Sequence, residues 1–134
     1  MFRHAAGINY VVRAGGLEAI LNAMTLFPDT GVVQATALHA LTCIFELAAP
    51  AISTRFIQQL GGVELVVKAM KDFPHDASIQ GNGCFLFYFF AKASELREDL
   101  VKAGVVVLVA TKLEHEGALV KRNAKNFMKI MFQE

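Results

Sequence analysis

Apolar residues recur along this chain at the spacing of one buried helix face. Val33, Ala37, Leu38, Leu41 and Ile44 follow the i, i+4, i+7 rhythm, and Ile79, Gly83, Cys84, Phe87 and Phe90 take it up again further on. Between these runs the chain is punctuated by residues that stop helices. Short pieces over 5–13, 51–59 and 94–102 each lead into a glycine, which can take the positive φ that a helix C-terminus wants. Second pieces over 17–27 and 63–73 end where Pro28 and Pro74 disfavour helical geometry at the preceding phenylalanine. Thr30 and Asp76 are capable N-caps for third pieces at roughly 32–48 and 77–92, and a last helix is expected at 118–132. No β-strand of five or more residues is expected.

The pieces form a repeat. Gly15-Gly16-Leu17-Glu18 returns 46 residues on as Gly61-Gly62-Val63-Glu64, and the same offset carries Met24 onto Met70, Phe27-Pro28 onto Phe73-Pro74, Gln34 onto Gln80 and Leu41 onto Phe87. A third, drifted copy follows at Ala103-Gly104-Val105, but Asn123-Ala124 matches Asn82-Gly83 at a different offset, so its register is harder to set. A period near 46 falls among those of helical repeat proteins. The repeats run approximately 1–49, 50–93 and 94–134, a single domain that also reads as a piece of a longer array.

Gly-Gly-Val-Glu-Leu-Val-Val-Lys-Ala-Met at 61–70, followed by Ile79-Gln80 and a small residue four on from Ile79, resembles the armadillo repeat. The resemblance implies an all-α, right-handed armadillo-like α-solenoid of about three repeats, whose third helices line a concave groove for extended peptides or partner helices. HEAT repeats are the nearest competitor. Family members that read nuclear-localisation signals present a tryptophan and, four residues on, an asparagine from successive third helices. Matched by position, those slots hold His39 and Cys43 in one copy and Phe85 and Phe89 in the next, so an importin-like reader of basic peptides is not expected.

Composition narrows the classes. With 54% hydrophobic and 19% charged residues the chain can build a core and is too apolar for disorder. A net charge of +1 leaves no excess to neutralise phosphates, which argues against nucleic acid as a partner. Cys43 and Cys84 are too few for a disulfide framework, and the apolar run 84–91 is too short to span a bilayer. A soluble cytoplasmic protein is expected, with the nucleus as the alternative compartment, and no membrane partner.

The candidate chemistry is sparse. His39 and Cys43, four apart on one helix, could be two metal ligands or a base and a nucleophile. Their repeat mates Phe85 and Phe89 favour a lining slot instead, and no third ligand is visible. His4, His75 and His115 form no cluster, and Glu114 and Glu116, two apart, point to different helix faces. No enzyme and no cofactor is expected. Gly83 matches Ala37, so a small residue there admits a neighbouring helix, while Phe85, Phe87, Tyr88, Phe89 and Phe90 make their helix apolar all round and require cover on every side. Lys121, Lys125 and Lys129 form a basic stripe that reads either as an acidic-peptide grip or as the solvated face of a terminal repeat. The expected function is a non-catalytic protein-interaction scaffold, or alternatively the regulatory module of a larger enzyme such as a multidomain kinase. Its partner, an apolar or amphipathic helix or peptide, would dock on His39, Cys43, Glu46, Phe85, Phe89 and Lys92, with self-association as a further outcome.

Overall fold

The computed structural model describes residues 5–115 and 117–132, and they form an all-helical chain with no strand among them. Expected positions His4 and Glu116 lie outside the described residues. The first unit comprises α1 (Ala5–Arg13), α2 (Gly16–Leu26) and α3 (Gly31–Leu47); the second comprises α4 (Pro50–Gln58), α5 (Gly62–Asp72) and α6 (Ala77–Ala91). The third opens with a 3-10 turn at Ser94–Leu96 and continues as α7 (Arg97–Lys102), α8 (Val105–Ala110) and α9 (Ala118–Met131). The expected first piece of this copy is therefore split in two. The three third helices stack side by side, α3 on α6 and α6 on α9, while α2 packs on α5.

The glycines before α2, α5 and α8 carry the three positive φ angles among the described residues: 93° at Gly15, 68° at Gly61 and 80° at Gly104. Each lets the chain reverse between the first and second helix of its unit without steric cost. Asp76 caps α6, its Oδ1 accepting from the Ile79 N–H at 3.0 Å. Thr30 stands at the expected N-cap position of α3, but its side chain is exposed and makes no cap hydrogen bond. A carboxylate is the stronger ligand for the positive end of a helix, so the aspartate holds where the threonine does not.

A repeated glutamine ties the second helix of each unit to the third. Gln34 Nε2 donates to the carbonyls of Met24 (3.1 Å) and Phe27 (2.9 Å), and Gln80 Nε2 donates to those of Met70 and Phe73, both at 2.9 Å. Both side chains are buried and satisfy carbonyls that the end of a helix leaves without an intrahelical partner. The identity of Gln34 and Gln80 across the repeat thus has a physical cause.

Packing between units follows the same periodicity. Phe45, Phe56 and Phe90 form one buried aromatic cluster, with centroid separations of 5.0 Å (Phe45–Phe56), 4.9 Å (Phe45–Phe90) and 5.5 Å (Phe56–Phe90), spanning the first and second units. Phe87 meets Phe127 edge-on at 6.5 Å across the second and third. Polar links cross the same boundaries: Arg55 pairs with Glu18, and Gln58 donates to Asp99 at 2.9 Å. Glu18's carboxyl lies below its ordinary range because backbone hydrogen bonding and then Arg55 favour the charged form.

Gly83 is where α5 approaches α6. A Cβ added there would stand 2.3 Å from Met70 Sδ, so the small residue expected from its match to Ala37 is required by a close neighbour.

Candidate interaction groove

Three third helices lying side by side expose one row of side chains each, and between them runs a recess of about 380 Å3. Its walls are His39, Thr42 and Glu46 from α3, Asn82, Phe85 and Tyr88 from α6, and Leu119, Arg122, Asn123 and Asn126 from α9. Phe85 and Tyr88 are half-buried, their rings open to the recess on one side. The helix expected to be covered all round is therefore covered unevenly: Cys84, Leu86, Phe87 and Phe90 are sealed, while Phe85, Tyr88 and Phe89 keep partial exposure.

Of the six residues expected to form the docking site, His39, Glu46 and Phe85 share this recess. Cys43 is exposed beside His39, its Sγ 3.8 Å from His39 Nε2, but it opens toward the opposite flank of α3 with Ile8, Val11 and Ile20. Phe89 and Lys92 border a separate hollow with Ala48, Pro50 and Ser53. Phe89 leans on the aromatic cluster, 6.3 Å from Phe45 and 6.2 Å from Phe90. Lys92 folds its ammonium over the Tyr88 ring at 5.0 Å and the Phe89 ring at 5.7 Å, a cation–π contact that occupies its charge locally. The cation that shares the recess with Glu46 is Arg122 instead.

Reading from the first two repeats alone misses the wall contributed by α9. The drifted register concealed it, yet the match of Asn123-Ala124 to Asn82-Gly83 places Asn126 level with Phe85. Asn123 Nδ2 donates to the Gly81 carbonyl at 3.1 Å and locks α9 against α6. Amide side chains therefore do line the recess, at the step between the second and third units, although the slots on α3 and α6 hold none.

Among the described residues no group of three or more His, Cys, Asp or Glu side chains is placed to hold a metal ion. The other thiol, Cys84, is buried, and burial pushes its pKa up to about 12. No helix among the described residues is long and apolar enough to cross a membrane. Comparison with protein-family models, with curated proteins and with solved structures finds no match to this chain.

Proposed function

We propose that the chain is a non-catalytic protein-interaction module, an armadillo-like right-handed α-solenoid whose third-helix groove receives a segment of another protein. The observation that carries this reading is the recess itself: three helices packed side by side, each contributing side chains to its walls, with two half-buried aromatic rings at its centre. The apolar rhythm that builds the core includes neither Phe85 nor Tyr88; Tyr88 packs partly against the core, and Phe85 does not. Aromatic rings left partly open in a groove are the usual anchors of binding energy.

The chemistry of the walls describes the partner. An apolar side chain of an amphipathic helix or extended peptide would seat on Phe85 and Tyr88, and the amides of Asn82 and Asn126 would meet polar backbone beside it. Glu46 on one wall and Arg122 on the other would orient a partner carrying opposite charges at its two edges, setting direction more than affinity.

The test is affinity capture from extracts of the source cells using the unaltered chain and Phe85→Ala in parallel, followed by titration of each captured partner. Loss of a central aromatic anchor is expected to weaken binding by ~2 kcal/mol or more, about thirtyfold in Kd. An exposed change outside the groove, Glu95→Ala, is expected to leave Kd unaltered. A folded Phe85→Ala variant that keeps every partner at full affinity would remove the groove from the function.

A further inference from the structure

At one end of the recess the fold gathers negative charge and leaves it unmatched. Glu46 stands in the last turn of α3, where carbonyls without intrahelical partners make the helix end negative, so its carboxylate opposes the local field. That turn holds no basic residue, and no cation pairs with Glu46 among the described residues. The matching end of α6 is built the other way: Lys92 occupies the position equivalent to Glu46, and Arg97 Nε donates to the Ala91 carbonyl at 2.7 Å. A charge rule kept in one unit and broken in the other, on the wall of a groove, points to a site.

Beside Glu46 the recess offers surfaces that hold cations. Phe85 and Tyr88 line it together with Glu46, and an aromatic ring is negative over its face. A cation already rests there, since Lys92 Nζ lies 5.0 Å from the Tyr88 centroid. Lys92 is exposed, so this contact is open to exchange rather than sealed. The ends of α3 and α6 adjoin at this place: Ala48 and Pro50, just after α3, line one hollow with Phe89 and Lys92. Arg122, which also lines the recess, enters from the second turn of α9, and the start of α9 adjoins the start of α6 in another hollow with Ser78 and Gly117. Its charge therefore belongs to the far end of the groove.

We infer that the Glu46 end of the groove seats one cationic side chain of the partner, a lysine or arginine, with its head on the Tyr88 ring and Glu46 as counter-charge, and that Lys92 is the resident cation it displaces. The inference rests on the groove being the binding surface. The stem of such a side chain is apolar and covers ring surface while its charged head reaches the carboxylate.

Selection of a random peptide library displayed on phage against the full chain tests this, with synthetic copies of the enriched peptides then titrated. Peptides whose binding is lost with Phe85→Ala are expected to share a lysine or arginine, and exchanging one for the other names the preferred head group. Replacing that residue by norleucine, which is uncharged, is expected to weaken binding about fivefold or more, but to matter little once Glu46→Gln or Tyr88→Leu is present. Glu46→Gln, at an exposed position, decides the matter should Tyr88→Leu not fold. Lys92→Met keeps the stem and removes the competing charge; it is expected to tighten the cationic peptides about threefold and leave their norleucine forms unchanged. The absence of that split would overturn the displacement of Lys92. Enriched peptides that need Phe85 but tolerate norleucine, or whose preference for a cation survives Glu46→Gln undiminished, would overturn the cation seat and leave the groove standing. A selection that yields no peptide dependent on Phe85 would overturn the groove and the seat together.

Discussion

Two glycines of α6, two residues apart and so on different faces of the helix, should answer alanine with changes of opposite sign. Gly81 and Gly83 are both buried in the interior of a helix, where replacing glycine by alanine gains about 1 kcal/mol from backbone propensity alone. At Gly81 an added Cβ would meet Val120 Cγ2 at 3.6 Å and Leu119 Cδ2 at 3.8 Å, ordinary contact distances, so the gain is kept and the new methyl adds contacts with α9. At Gly83 the same atom would stand 2.3 Å from Met70 Sδ and 2.9 Å from its Cγ. The Met70 side chain, itself fully buried, would have to retreat by roughly 1 Å or more to restore contact distance. Overpacking of that kind costs about 1–3 kcal/mol, which cancels or outweighs the propensity gain. Gly81→Ala is thus expected to stabilise by ~1 kcal/mol, and Gly83→Ala to destabilise by up to about 2 kcal/mol. Urea unfolding followed by circular dichroism, at one protein concentration, reads both, and an unchanged slope would attribute the shift to stability rather than to a changed unfolded state. The thermal midpoint should move roughly 3–5 °C for each kcal/mol. Gly83→Ala proving more stable than the unaltered chain would refute the close approach of α5 and α6 and, with it, the packing derived for the second unit.

Phe87→Ala and Leu41→Ala, which empty fully buried equivalent positions, are each expected to cost on the order of 2–5 kcal/mol in the same assay, whereas exposed Glu46→Ala should change little; an unmoved midpoint for Phe87→Ala would show that the repeat register is wrong. The two thiols should differ in reactivity: exposed Cys43 is expected to alkylate in the native protein at pH 8, and Cys84, with its pKa pushed up to about 12, only after denaturation. Rapid native labelling at Cys84, mapped by mass spectrometry, would contradict its burial. The same shift carries a sign for stability. A thiol that ionises near 9 when unfolded and near 12 when folded lends stability that is complete below pH 9 and is lost as pH rises from about 9 to 12, an increment that Cys84→Ala should abolish.

Much of this architecture was legible before any coordinates. Helix class and boundaries followed from the i, i+4, i+7 rhythm and from glycine and proline, because those residues act through their own backbone geometry and need no distant neighbour. The third helices expected at 32–48, 77–92 and 118–132 are found at Gly31–Leu47, Ala77–Ala91 and Ala118–Met131. The 46-residue period also identified which positions are equivalent, matching Gln34 to Gln80, each of which holds the corresponding pair of carbonyls. What the chain did not reveal alone depended on which surfaces met. The six expected groove residues are separated because the flank of α3 that carries Cys43 and the end of α6 that carries Phe89 and Lys92 turn away from the recess. Lys92 spends its charge over two rings, and Arg122 from the drifted third copy takes its place opposite Glu46. A local pattern determines a helix and the face it buries; only the stacking of one helix on another decides which of the remaining side chains face each other, because that depends on distances across the sequence that no short-range rhythm encodes.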